Sequence, residues 1–292
     1  YGITSSRIEE GIDKNFESEK IHAQGLIISD YSMEYSHYSA VKSLSSWLFD
    51  NKVPGIYDID TRKLTKILRE NGTMLGKIIV NSLDIPFYDP NKEKLVPIVS
   101  PKEITEFKRG KKKVILLDTG AKTSILTSLL DRGVSVKRVP WNYDFPDEEY
   151  DGVLLSNGPG DPAMYPEIVE NVKKLLSKNK PVLGICLGHQ MLSMAAGAST
   201  YKLKYGHRSL NQPVQDMFSL KCYITSQNHG YAVNTETIPE GWECWFENLN
   251  DGTNEGIRHK TKPFMSVQFH PESTPGPVDT AYIFDEFINK LK

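Results

Sequence analysis

The chain has 292 residues, 39% of them hydrophobic and 25% charged, and a formal net charge of −2. That is the composition of a globular protein with a core, long enough for one large or two ordinary domains. The near-neutral balance holds only one short basic cluster, "KRGKKK" at 108–113, and no apolar run approaches the roughly 20 residues of a membrane span, so the sequence argues against both a nucleic-acid binder and a membrane protein.

Residues 1–85 read as a small mixed unit. In it "AQGLIISD" is a strand, "HYSAVKSLSSWLFDNKVPG" a helix ended by Pro54 and Gly55, and "DTRKLTKILRENG" a helix stopped at Gly72. Leu64, Ile67, Leu68 and Leu75 keep the spacing of one helical face and are expected to pack. Between 86 and 112 Pro and Lys are frequent and no period is sustained, so this segment reads as a linker, with the basic cluster as its solvated approach to the next strand.

From 113 to 292 strands and helices alternate. "VILLDTG", "VSVKRVP", "YDGVLLSNGPG", "PVLGIC" and "PFMSVQFHPE" read as strands, while "TSILTSLLDRG", "PEIVENVKKLLSKN" and "TAYIFDEFINKLK" read as helices. This order predicts an α/β fold, a mostly parallel sheet with helices on both faces, next to the smaller N-terminal mixed α/β domain. Such sheets bind ligands at the carboxyl ends of their strands.

The sharpest local signal is "GICLG". Gly184 and Gly188 stand two residues either side of Cys186, where a strand gives way to a helix, which is the form of a nucleophile elbow with a thiol in place of the hydroxyl. A helix starting at Leu187 would turn its unpaired N–H groups and positive dipole end toward the sulfur, favouring thiolate and offering donors for an oxyanion. Taken alone, the stretch fits a buried small cysteine equally well. A second signal is "QFHPE": His270 ends an apolar strand and Glu272, two residues on, leaves an extended chain on the same face, as a general base and its orienting carboxylate must. His189 is a rival base, ranked lower because no carboxylate neighbours it in sequence. In "LLSNGPGDP", Gly158 and Gly160 follow a strand and would let a substrate approach the backbone, though a tight turn explains them as well. "TGAKTS" at 119–124 lacks the glycine spacing of a phosphate-binding loop, so no nucleotide site is read there. Cys186, Cys222 and Cys244 are an odd number without C-x-x-C spacing, which points to no metal site and to a reducing compartment, the cytoplasm first and the mitochondrial matrix as the alternative.

Together "GICLGHQ", "SNGPGDP", "TSQNHGYAV" and "HPESTPGP" resemble the class I (triad) glutamine amidotransferases. "KLKYGHR" followed by "NQPV" narrows the likeness to the carbamoyl-phosphate synthetase glutaminases, and "KIHAQGLI" with "VPGIYDIDTRKLTKILRENGTMLGKI" resembles the N-terminal domain of their small subunits. The resemblance implies Cys186 as nucleophile, His270 as base and Glu272 as its orienter. Gly158 and Gly160 would lie against glutamine and its thioester, Leu187 and Gln190 would contact the substrate, and Asn228, Gly230 and Tyr231 would hold its α-carboxylate and α-amino end. The implied partners are L-glutamine and a synthetase large subunit or fused synthetase domain. No cofactor is implied for this chain itself, since ATP, bicarbonate and magnesium belong to that synthetase. A silent regulatory chain is the alternative, because ammonia-dependent members of the family have lost the cysteine, and a related cysteine hydrolase is a more distant one.

Two departures from the family pattern stand out. The family's first strands, with a serine that contacts glutamine, precede the point matching Tyr1, so that contact is assigned to no residue and the chain reads as a processed or excised piece. Ser209 and Leu210 occupy positions where small residues are expected.

Overall fold

The computed structural model describes residues 2–292, which fall into two compact units, the first running to Asp89 and the second covering Pro90–Lys292. Among the described residues no helix is long and apolar enough to cross a membrane.

In the first unit, β1 (Gly2–Thr4) pairs antiparallel with β5 (Ala40–Ser43), β2 (Ile8–Glu9) forms a short hairpin with β3 (Ile12–Asp13), and β4 (Leu26–Ile27) runs parallel to β6 (Gly55–Ile56). The helix expected over 37–55 is shorter than its pattern. Residues 40–43 are spent on pairing with β1, and α1 (Leu44–Asp50) starts where Ser43 can accept the Ser46 N–H as an N-cap. The second helix, α2 (Thr61–Asn71), follows the sequence closely: Asp60 accepts the Lys63 N–H at 2.8 Å, and Gly72 ends it at φ 88°. Its apolar stripe packs less than expected, with Leu64 and Leu68 half-buried and Ile67 and Leu75 exposed.

The second unit is built on a ten-stranded sheet. Its short helix α3 (Val96–Val99) and edge strand β7 (Thr105–Phe107) come from the segment read as a linker. Residues 90–112 therefore belong with the larger unit: Val96 is fully buried, Phe107 pairs with Val136, and Lys112 Nζ donates to the Ile288 carbonyl near the C-terminus of the last helix. These contacts lie far apart in sequence, which is why local composition alone suggested a linker.

The remaining elements are β8 (Lys113–Asp118), α4 (Thr123–Leu130), β9 (Ser135–Pro140), β10 (Gly152–Leu155), α5 (Pro166–Ser177), β11 (Val182–Ile185), α6 (Leu187–Ala196), β12 (Thr200–Asp216), β13 (Cys222–Val233), β14 (Trp242–Asn248), β15 (Asn254–His259), β16 (Phe264–Val267) and α7 (Tyr282–Lys290). The sheet order is β13-β12-β14-β15-β16-β11-β10-β8-β9-β7. From β16 to β9 neighbouring strands are parallel. Their apolar runs, such as Val114–Leu117, are buried throughout because helices cover both faces of the sheet. The flank from β12 to β15 is antiparallel and was not anticipated.

Candidate active site

The parallel strands β16, β11, β10 and β8 are neighbours in the sheet, so the loops after them meet at one end. Cys186 follows β11 and is the N-cap of α6, at φ 52° and ψ −104°. A non-glycine residue at positive φ costs of order 1–3 kcal/mol and persists only where its surroundings over-determine it. Those surroundings are visible: the Cys186 N–H donates to Val267 O at 2.9 Å, and the Gly188 N–H donates to Ser156 O at 3.0 Å. The two glycines are steric requirements of this turn. A Cβ on Gly184 would lie 2.6 Å from Gly188 O, and one on Gly188 would lie 2.1 Å from Leu155 O. Backbone meets backbone there, leaving no room for any other residue.

His270 follows β16, tied by its N–H to Ser226 O at 2.9 Å, and its Nδ1 lies 2.6 Å from Glu272 Oε1. Burial alone would push its pKa down. The interactions of the imidazole with the Glu272 carboxylate, and then with the Cys186 sulfur as thiolate, outweigh burial and hold the pKa well above the usual histidine range. Nδ1 is thus committed to the carboxylate and Nε2 is left for the sulfur. Glu272 is buried, which disfavours its charge, yet His270 and Lys122 keep its pKa below the ordinary value.

Lys122 is the residue that sequence reasoning missed. It belongs to "TGAKTS", which was read only against a phosphate loop, yet its Nζ is 3.2 Å from Glu272 Oε1 and also bonds the Ser273 carbonyl. Its usable signal was position, four residues past a buried strand whose carboxyl end faces the site. The loop itself is built around Asp118, whose Oδ1 accepts the Gly120 and Ala121 N–H groups at 2.8 and 2.7 Å and whose Oδ2 pairs with Arg138 at 2.6 Å. A carboxylate at its centre makes it a poor host for phosphate.

The structure does not bring His189 to a carboxylate. Its ring is fully buried, Nδ1 lies 2.9 Å from Ser266 Oγ, and burial, with His229 nearby, pushes its pKa down to about 3. Gly158 and Gly160 sit on the loop after β10. A Cβ on Gly158 would meet Thr119 O at 2.4 Å and Leu187 Cδ2 at 2.7 Å, so this loop touches both the start of α6 and the loop after β8. Gln190, buried on α6, donates to Tyr231 O at 2.9 Å and Gln268 Oε1 at 3.0 Å. The first of these bonds, with the His270 N–H to Ser226 O, brings β13 and its Asn228, Gly230 and Tyr231 beside the carboxyl ends of the parallel strands. Asn228 is exposed, and Gly230 and Tyr231 are half-buried. Ser209 and Leu210 are accommodated by a bulge: the β12–β13 register shifts between Ser209 and Gln212, and Leu210 turns outward, 47% exposed.

The profile of the class-I glutamine amidotransferases matches residues 115–290, and that of the carbamoyl-phosphate synthase small chain, CPSase domain, matches residues 2–78. The multifunctional protein pyr1-3 of Dictyostelium discoideum is 47% identical over 100% of this chain and 14% of its own length. The mitochondrial carbamoyl-phosphate synthase [ammonia] of Homo sapiens is 47% identical over 99% of this chain and 19% of its own, and the multifunctional protein CAD of Squalus acanthias is 48% identical over 99% and 13%. The chain thus spans less than a fifth of these relatives. Among solved structures, a protein described as a GMP synthase component from Thermoplasma acidophilum superposes with a TM-score of 0.55 and 27% identity, covering 61% of this chain and 92% of that one. With the amidotransferase profile matching more than half of its residues, the chain belongs to the class-I glutamine amidotransferases, in the branch that carries a carbamoyl-phosphate synthase small-chain domain.

Proposed function

We propose that this chain hydrolyses the side-chain amide of L-glutamine and hands the ammonia to a synthetase that forms carbamoyl phosphate. The observation that carries the proposal is Cys186 on a strained elbow, close enough for its charge to act on an imidazole that Glu272 orients at 2.6 Å. His270 takes the thiol proton as the sulfur attacks the amide carbon, and the resulting oxyanion is held by the Leu187 N–H at the start of α6 and by N–H groups of the Gly158–Gly160 loop. His270 gives its proton to the leaving nitrogen, the C–N bond breaks, and ammonia departs from a γ-glutamyl thioester. Water then attacks the thioester as His270 takes up its proton, releasing glutamate and restoring the thiol. Leu187 and the Gly158–Gly160 loop line the amide end, while Asn228, Gly230 and Tyr231 on β13 hold the α-carboxylate and α-amino group. Both N–H groups of Gln190 are spent on Tyr231 and Gln268, which leaves its Oε1 for a substrate amino group.

The relatives' names support a synthetase as partner, whether fused or separate, and ATP, bicarbonate and magnesium are its substrates and cofactor rather than this chain's. The human relative is named for ammonia, which favours a second reading as a silent regulatory piece. Against it, Cys186, His270 and Glu272 are all present and adjacent. In complex with a matched synthetase, Cys186→Ala should abolish carbamoyl phosphate synthesis from glutamine and leave synthesis from free ammonia intact. Equal loss of both activities, or loss of neither, would sink the glutaminase reading.

A further inference from the structure

Away from the triad, His207 on β12, His229 on β13 and Glu255 on β15 are all buried, and one ligand-capable atom of each lies within 4.8 Å of the others, the one such group of three found among the described residues. The hydrogen bonds decide which atoms face the cluster. His229 Nδ1 is 2.8 Å from the Tyr231 carbonyl, which only accepts, so Nδ1 carries the proton and Nε2 presents a lone pair. That lone pair lies 3.2 Å from Gln227 Oε1 and 3.9 Å from Glu255 Oε1. His207 is anchored from its other nitrogen, with Nε2 2.9 Å from Asp251 Oδ2, while Nδ1 faces Gln227 Oε1 at 2.9 Å and Glu255 Oε1 at 3.2 Å. Asn248 Nδ2 donates to Glu255 Oε1 at 3.1 Å and lies 3.4 Å from His207 Nδ1. Glu255 is 0% exposed, and its Oε2 has no hydrogen-bond partner among the described residues. More lone pairs converge here than the neighbouring donors satisfy, which is costly in a buried place unless a cation compensates.

We infer that His207 Nδ1, His229 Nε2 and Glu255 form a binding site for a divalent cation of the zinc class, with Gln227 Oε1 as the fourth ligand. The separations of 2.9, 3.2, 3.2 and 3.9 Å bracket the edge of about 3.3 Å expected for a tetrahedron with metal–ligand distances near 2.0–2.1 Å. Two imidazoles and two oxygens suit zinc, cobalt or nickel, whereas magnesium and calcium take six or more oxygen ligands. The outer contacts that orient metal-bound histidines are already in place, Asp251 behind His207 and the Tyr231 carbonyl behind His229. Asp251 is partly exposed and gives an ion a route inward. The ligands come from three strands, and only Gln227 and His229 are close in sequence, too little to betray the set. Gln227 and His229 flank Asn228 on β13, so a bound ion would fix the strand that presents Asn228 on its opposite face.

The test uses the 292-residue chain as Cys186→Ala, which removes the triad thiol as a competing ligand. After removal of metal with a chelator, Zn2+ affinity is measured by competition with a chromophoric chelator, and a Co2+-loaded sample is read for its ligand-field bands. The expected result is one equivalent of zinc, a four-coordinate cobalt spectrum without sulfur charge transfer, and at least about tenfold weaker binding in Glu255→Gln. Should that variant fail to fold, Asp251→Asn at the partly exposed outer position should still weaken binding by about tenfold, and an anomalous-difference map at the zinc edge should place the ion between His207 and His229. Absence of stoichiometric binding would leave a proton bridging His207 and Glu255 and overturn the site. A sulfur-to-cobalt band, or an anomalous peak at Cys222 or Cys244, would overturn it as well.

Discussion

The same sheet carries two buried histidine–glutamate pairs that differ in what is left for the second imidazole nitrogen. At the carboxyl end of β16, Glu272 holds His270 through Nδ1, and the other nitrogen is free to serve Cys186. On the antiparallel flank, His207 meets Glu255 and Gln227 through Nδ1 and Asp251 through Nε2, so both nitrogens are committed to oxygens. One pair leaves a nitrogen free to move a proton, and the other leaves none. On the proposed mechanism, catalysis follows from the uncommitted nitrogen rather than from the pairing itself.

Removing His270 tests that difference most directly. His270→Asn should slow formation of the thioester by at least about a hundredfold, within the range of general base catalysis, as read in a pre-steady-state assay of glutamine acylation. Normal acylation in this variant, with loss on replacing His189, would move the base to α6. Glu272→Gln should cost less, about tenfold, because the amide still bonds the imidazole. Its pH signature is more informative. Burial pushes the His270 pKa down and Glu272 is the largest of the groups that hold it up to about 10, so without that charge the pKa falls toward the ordinary value. A raised pKa in the folded state means stability that is complete below the unfolded value of about 6.5 and is lost as pH rises through the folded one. The wild-type melting temperature should therefore drop between pH 7 and 10 by more than that of Glu272→Gln. Parallel curves would show that the pair is not what holds the proton. Lys122→Met removes a weaker support, since Lys122 stands after His270 among the groups that keep Glu272 charged. Losing one charge-assisted contact worth about 1 kcal/mol should lower the acylation rate about fivefold. An effect as large as that of His270→Asn would instead place Lys122 at the substrate.

The two pairs also differ in how far the sequence disclosed them. His270 and Glu272 stand two residues apart at a strand end, and Cys186 between glycines marks its own elbow, so local geometry sufficed for both. The parallel strands were legible for the same reason: each is a continuous apolar run set off by a helix with its own period. His207 and Glu255 are 48 residues apart and meet through the pairing of β12 with β14 and of β14 with β15. Those strands mix polar with apolar residues, as in "KLKYGHRSLNQPVQD", and β12 is interrupted by two register shifts, so no simple alternation announces them. Lys122 was missed for a related reason, since its partner Glu272 is brought to it by the order of strands in the sheet. Motif reading finds groups that one turn assembles; groups assembled by register need the register.

The smallest expected difference is also the least obvious, because stability should rank the two histidines in the opposite order from activity. Replacing His270 leaves Glu272 bonded to Lys122 at 3.2 Å, so its buried charge keeps a cationic partner, and the strained elbow beside it gains freedom. Replacing His207 leaves Glu255, 0% exposed and with burial already raising its pKa, with Asn248 as its remaining side-chain donor and, among the described residues, no cation in contact. Breaking a buried pair by removing one partner costs about 3–5 kcal/mol, because the other group must stay charged in a poor solvent or take up a proton to fold. At about 2–4 °C per kcal/mol for a unit of this size, His207→Gln should lower the melting temperature by roughly 6–20 °C, and His270→Asn by clearly less. Both are to be measured by calorimetry in the presence of a chelator, so that no metal binding enters the comparison. If His270→Asn proves the more destabilising of the two, the pair at the parallel end is also part of what holds the sheet together, and the division between a working histidine and a fastening one fails.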